Sequence, residues 1–202
     1  MTSPLPPLAV MNFPTSRGNS PNPVVQNLLL TTTLQVNSLV AVGMELYSSK
    51  ISYDVSKEPH TARISRCGIT ASLSEEEKDF LVVEGALLYT SFSIEFDHPI
   101  LGRTIKCDSS LTIGDFITLL YSHLRERLGS RETTNLGQDM DLFTEAIKNQ
   151  HKRCHTTLNP RAEWTQGMKR IDVLGRECKF RGVELDTTSG QDTIVLRVAF
   201  GK

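Results

Sequence analysis

The segment from Thr112 to Gly129 constrains the fold most, because it reads as an amphipathic helix with both ends marked. Ile113, Phe116, Ile117, Leu120, Leu124 and Leu128 recur at helical spacing on one face, while His123, Arg125, Glu126 and Arg127 fall elsewhere. Thr112 is placed to cap the N-terminus, Asp115 complements the positive end of the helix dipole, and Gly129 suits a left-handed C-terminal position. Such a one-sided apolar stripe has to be covered by other elements, and the flanking sequence supplies strands.

Upstream, Leu88, Phe92, Ile94 and Phe96 alternate with Tyr89, Ser91, Ser93 and Glu95. Asp97-His98-Pro99 and Gly102 break the run, and Ile105 and Cys107 continue it in a shorter partner, which predicts a hairpin. Earlier still, Ile51, Tyr53 and Val55 share one face of a strand that Pro59 ends. Ile69, Ala71 and Leu73 mark another, and Ser74 with Glu77 makes a capping-box pattern for a short helix from Glu75.

Downstream, a second helix is expected from about Asp139 to Arg153, with a stripe of Met140, Phe143, Ile147 and Cys154. A type II′ turn at Gly175-Arg176 predicts a hairpin in which Leu174 faces Glu177, Val173 faces Cys178, Asp172 faces Lys179, Ile171 faces Phe180 and Arg170 faces Arg181. Thr187 to Asp192 reads as a polar turn, and Ile194, Leu196, Val198 and Phe200 form a last alternating strand. The C-terminus is therefore expected inside the core. Together these elements predict an α+β fold: a mixed, mainly antiparallel sheet with two amphipathic helices packed on one face.

Six of the nine prolines lie in Met1–Pro23, where Arg17 is the single charge. Proline fixes φ and removes a donor, so residues 1–23 are expected to be a disordered proline-rich tail, and residues 24–202 a single α+β domain. Apolar content of 39% and charged content of 22% in 202 residues suit one globular domain able to bury a core without disulfides. Cys67, Cys107, Cys154 and Cys178 are widely spaced with no C-x-x-C pair, which points to unpaired, buried thiols. The N-terminus lacks a signal-peptide pattern, and no apolar run approaches the about 20 residues of a membrane helix. A cytoplasmic or nuclear protein, with no membrane partner, is expected.

The stretch from about Leu39 to Phe200 resembles a domain family of unknown function abundant in mushroom-forming fungi. The resemblance rests on Ser52-Tyr53-Asp54-Val55 and Pro59-His60-Thr61-Ala62, on Leu111-Thr112-Ile113-Gly114-Asp115-Phe116-Ile117 with Tyr121 and Leu124, and on Met168-Lys169-Arg170-Ile171-Asp172-Val173-Leu174-Gly175 with Phe180-Arg181-Gly182. The chain departs from that pattern in having no tryptophan near Tyr53 or Glu95; Trp164 is its only one. The resemblance implies fold boundaries and a fungal source, and it carries no activity.

The sequence carries few patterns that point to chemistry. No G-x-S-x-G elbow or phosphate-binding glycine loop is present. His98 and Cys107 lie on the two arms of the predicted hairpin, where a Cys–His pair would need them to meet. His151 and His155 stand at i and i+4 with Cys154 at i+3 of His151, a transition-metal spacing. A structural zinc site needs a fourth ligand, and a solvated helix end near Arg153 is the expectation, so no metal and no cofactor is assigned.

Net charge is −1, but His151 to Arg181 holds eight Lys or Arg against three acids. In the predicted hairpin Arg170, Lys179 and Arg181 share a face, and like charges at facing positions are relieved by an acidic protein surface or anionic ligand. These three are the candidate anionic-partner residues. The function expected is a non-enzymatic protein-interaction or regulatory module. The alternatives are a nucleic-acid-binding domain using the basic 151–181 region, which the overall charge disfavours, and a small-molecule enzyme with an unrecognised pocket.

Overall fold

The last strand of the chain organises the main sheet. A computed structural model describes residues 34–42, 50–85, 91–102, 104–108, 110–186 and 194–202. Strand β6 (Ser91–Phe96) pairs antiparallel with β7 (Ile105–Asp108), as the broken alternation predicts, and parallel with β9 (Ile194–Gly201). Strand β8 (Lys179–Asp186) pairs antiparallel with β9 and completes a four-stranded sheet in the order β7-β6-β9-β8. The parallel pair needs a long crossover, and the helices between β7 and β8 supply it. Ile194, Leu196 and Val198 are all buried, so the C-terminal strand is core.

A three-stranded antiparallel sheet of β2 (Ile51–Ser52), β3 (Arg63–Arg66) and β4 (Ile69–Ser72) meets this one edge-on: Val55 N–H donates to the Cys178 carbonyl and Phe180 N–H to the Tyr53 carbonyl, both at 2.8 Å. Strands β1 (Gln35–Val36) and β5 (Val83–Glu84) form a two-stranded ladder. The expected α+β class with a mixed, mainly antiparallel sheet holds among the described residues, and Leu34–Lys202 forms one compact unit.

Helix α1 (Glu75–Lys78) starts at the expected capping box: Glu77 N–H donates to Ser74 Oγ at 3.3 Å, and Ser74 N–H to Glu77 Oε2 at 2.8 Å. Helix α2 (Ile113–Leu124) is capped by Thr112 Oγ1, which accepts Asp115 N–H at 3.2 Å. Its Phe116, Leu120 and Leu124 have no exposed surface, and the Phe116 ring meets Phe180 of β8 edge-on at 5.9 Å. Helices α3 (Ser130–Gln138), α4 (Met140–Thr156), α5 (Pro160–Thr165) and α6 (Arg170–Leu174) follow, and α4 packs on α3, α5 and α6.

Several local expectations are corrected. Gly129 does not end α2, which stops at Leu124; with φ −73° it caps α3, its N–H donating to Glu132 Oε2 at 2.7 Å. The Thr-Thr-Asn run in α3 has low helix propensity, and burial of Leu136 and of the Glu132 carboxylate overrides it. Helix α4 continues to Thr156, past the expected end near Arg153. Its buried residues are Ala146, Gln150 and Cys154, whereas Met140 and Ile147 are exposed. Strand β4 exists, but Ile69 is exposed and only Leu73 of the expected face is buried.

The largest correction concerns the Gly175-Arg176 hairpin. The type II′ turn is present: Gly175 has φ 56° and ψ −109°, and Glu177 N–H donates to the Leu174 carbonyl at 2.8 Å. The strand expected before it is helix α6 instead, with all five residues buried. The Asp172 carboxylate accepts Lys169 N–H at 2.9 Å at the start of that helix and is held by Arg153, a tertiary partner that a five-residue alternation cannot reveal. Arg170 therefore does not face Arg181.

The expected tail at Met1–Pro23, the strand positions Leu88 and Tyr89, and the turn Thr187–Asp192 lie outside the described residues. Among the described residues, no helix is long and apolar enough to cross a membrane.

Candidate functional site

A cleft of about 860 Å³ opens between the loop after β2 on one side and α4, α5 and α6 on the other. Its helical wall is a closed charge network. Arg153 of α4 grips the buried Asp172 bidentately, Nε to Oδ1 and Nη2 to Oδ2, both at 2.8 Å. The same guanidinium pairs with Glu163 of α5 and donates to the Gly167 carbonyl at 3.1 Å. Lys169 Nζ closes the ring by donating to Glu163 Oε1 at 2.6 Å. The Lys169 ammonium, followed by Arg153, holds the Glu163 carboxyl below the usual range in spite of burial. These two acids and two bases satisfy one another.

The opposite wall is a clamped loop. Asp54 Oδ1 accepts Ser56 N–H at 2.9 Å and Ser56 Oγ–H at 2.6 Å, an Asx-type turn. Arg125 of α2 donates to the carbonyls of Val55 at 3.3 Å and Ser56 at 2.8 Å, and its guanidinium sits 3.6 Å over the Tyr121 ring. Tyr121 donates to Glu58 at 2.5 Å, and Tyr53 to the Lys57 carbonyl at 3.0 Å. Burial raises the Tyr53 phenol well above its ordinary value, so it remains a neutral donor. The side chains of Asp54, Arg125 and Tyr53 thus fix the backbone from Asp54 to Lys57, and Tyr121 holds the Glu58 side chain beside it.

The rim differs from both walls. Lys57, Lys152 and Arg176 are exposed and have no side-chain partner among the described residues. Counting walls and rim, the cleft is lined by six basic side chains (Lys57, Arg125, Lys152, Arg153, Lys169, Arg176) and three acidic ones (Asp54, Glu163, Asp172). Its one thiol, Cys178, donates to the Gly175 carbonyl at 3.0 Å, and burial pushes it up to about 12. It is protonated at neutral pH and so is neither a nucleophile nor a ready metal ligand. Any Cβ at Gly175 would come within 2.7 Å of Asn149 Nδ2, so the turn seats itself against α4 without a side chain.

Of the three cations expected to bind an anionic partner, Arg170 is set apart in α6 while Lys179 and Arg181 lie on β8. Arg170 is 1% exposed and makes four hydrogen bonds: it donates to Glu132 Oε1 at 2.7 Å and Oε2 at 3.1 Å, to Glu126 Oε2 at 2.6 Å and to the His123 carbonyl at 3.2 Å. Burial acts to raise the Glu132 carboxyl, yet Arg170 and the Gly129 N–H outweigh it and hold it below the usual range. Lys179 is exposed at the start of β8, bridged through its backbone to Asp54. Arg181 lies at the β8 irregularity and donates to the Lys202 carbonyl. The unpartnered cations of the cleft went unrecognised in the sequence. Lys152 and Arg176 belong to the basic 151–181 segment, and Lys57 lies far from it.

The other pairings separate as well. Register sets Cys107 opposite Phe92 and leaves His98 beyond the other end of β6, where its Nδ1 accepts Ile100 N–H at 3.2 Å. His151 and His155 stay together on α4 while Cys154 is buried, and among the described residues no group of three or more His, Cys, Asp or Glu is placed to hold a metal.

Fold and cleft define an α+β protein with a preformed, cation-rimmed groove. The family model for a family of unknown function, DUF6699, matches residues 51–193, over two thirds of the chain, and the chain belongs to that family. No curated protein and no solved structure matches it.

Proposed function

We propose that this chain is a non-enzymatic interaction module that docks an acidic protein segment in the cleft between the Asp54–Glu58 loop and α4–α6. The observation that carries the reading is the contrast inside the cleft: the charges of the helical wall neutralise one another and Arg125 is bonded to loop carbonyls, whereas Lys57, Lys152 and Arg176 at the rim have no side-chain partner among the described residues. A carboxylate-bearing segment supplies what these cations lack, and rim cations steer such a partner without destabilising the fold. The protonated Cys178 thiol favours binding over thiol chemistry at this position. The anionic-partner role first expected of Arg170, Lys179 and Arg181 passes in this reading to the rim cations, with Lys179 as a neighbour. Cys67, Cys107, Cys154 and Cys178 are all unpaired, which suits a reducing compartment, cytoplasm or nucleus.

Fluorescence anisotropy with a labelled short polyglutamate peptide and a single-stranded oligonucleotide of matched charge tests the proposal. The peptide is expected to bind in a salt-sensitive manner, and the triple variant Lys57→Gln/Lys152→Gln/Arg176→Gln to lose that binding. Equal binding by the triple variant, or preference for the oligonucleotide, would falsify the proposal; the second result would revive the nucleic-acid reading.

A further inference from the structure

We propose that His151 and His155 form a two-imidazole chelate for a borderline divalent transition-metal ion, Cu(II) ahead of Zn(II), on the outer face of α4. A helix end near Arg153 would have splayed these residues apart. The helix instead runs to Thr156, so both rings project from an intact turn. Their centroids are 4.5 Å apart with planes inclined at 44°, and both residues are exposed. Neither imidazole makes a hydrogen bond or ion pair among the described residues, so each has a ring nitrogen open to a metal.

Spacing of i and i+4 sets the two side chains side by side, so once one nitrogen binds, the second is delivered at high effective concentration. Imidazole suits Cu, Ni and Zn, and affinity for such a site follows the Irving–Williams order, which puts Cu(II) first. Water completes the coordination. Cys154, three residues past His151, is only 4% exposed and belongs to the buried side of α4. Neither histidine lines the cleft, to which α4 contributes Asn149, Lys152, Arg153 and Thr156.

Trp164 of α5 gives the site a reporter. Its ring lies 5.6 Å from that of His151, nearly perpendicular at 83°, and it is the only tryptophan in the chain. Paramagnetic Cu(II) held by the two histidines quenches an indole so close, while diamagnetic Zn(II) competes for the same ligands without that quenching.

The experiment is a CuCl2 titration of the full chain followed by Trp164 emission, with calorimetry alongside. Saturable quenching at one equivalent is expected, reversed by excess Zn(II). His151→Ala and His155→Ala should each weaken binding by about a hundredfold, the loss of the second chelating arm. Trp164→Phe should still bind one equivalent by calorimetry. Both histidines are exposed, so the variants retain the parent far-ultraviolet circular dichroism. One-equivalent binding that survives in the His151→Ala/His155→Ala double variant overturns the proposal, and so does a lack of saturable quenching at sub-millimolar Cu(II). Polyglutamate binding is expected to be unaffected by either histidine change.

Discussion

Arg170 and Arg176 stand at the two ends of one short segment, yet they live in opposite environments. Arg170 opens α6 with 1% of its surface exposed, its guanidinium held by Glu132, Glu126 and the His123 carbonyl. Arg176 follows the Gly175 turn and points to solvent beside the cleft, with no partner among the described residues. A buried charge persists only when its desolvation is offset by near-complete pairing, whereas an exposed one needs no partner and is free to meet another molecule. The contrast separates basic residues that hold this fold from those available for binding, and it divides the basic 151–181 region into two classes.

The sharpest way to break the comparison is to remove the buried cation. Arg170→Met should cost about 3–5 kcal/mol in urea unfolding, because it strands Glu132 as an uncompensated buried carboxylate. The double variant Arg170→Met/Glu132→Leu should recover most of that loss, since a well-packed apolar pair replaces the ion pair without an orphan charge. An equal loss in the single and the double variant would instead mean that shape, not charge, governs the site. Arg153→Met is the next test. It removes the bidentate partner of buried Asp172 and should cost about 2–3 kcal/mol, less than Arg170 because Arg153 is partly exposed and Lys169 still neutralises Glu163.

Acid titration reaches both networks at once. Glu132 and Glu163 are held below their ordinary values in the folded state, so folding favours their ionised forms. The stability they contribute is fully present above the unfolded glutamate pKa of about 4.3 and is lost as pH falls through the lower folded values. Unfolding free energy measured against pH should therefore drop below about pH 4, and Glu132→Gln should flatten that drop while lowering the plateau. The smallest effect belongs to the rim: Lys57→Gln/Lys152→Gln/Arg176→Gln should shift stability by under about 0.5 kcal/mol per site in either direction. A larger loss would mean that the rim cations serve the fold after all.

What the sequence made legible was whatever has a local cause. The Ser74–Glu77 capping box and the Thr112 cap are contacts within three residues, and both form as read. The alternation of Ile194, Leu196 and Val198 announces a buried strand because one face of a sheet must be covered. The Gly175-Arg176 turn is likewise local and correct, but the segment before it is not: Ile171 and Val173 suit a strand by alternation, and burial against α4 and α2 makes them helix. The cleft escaped for the same reason on a larger scale. Lys57, Lys152 and Arg176 come from a loop, a helix and a turn that only the fold brings together, and a single lysine in a sequence bears no mark of whether it will find a partner. Arg170, Lys179 and Arg181 looked like a patch only while the hairpin that aligned them was assumed.

The most direct test of the account is a two-dimensional 1H–15N titration of the full chain with the short polyglutamate peptide. Shift changes are expected at the backbone amides of Lys57, Lys152, Thr156 and Arg176, saturating together with one affinity and fading as salt is raised. Changes that instead gather around Glu132 and Arg170, or that scatter with no common saturation, would contradict the claim that the unpartnered cations of the cleft are the binding surface.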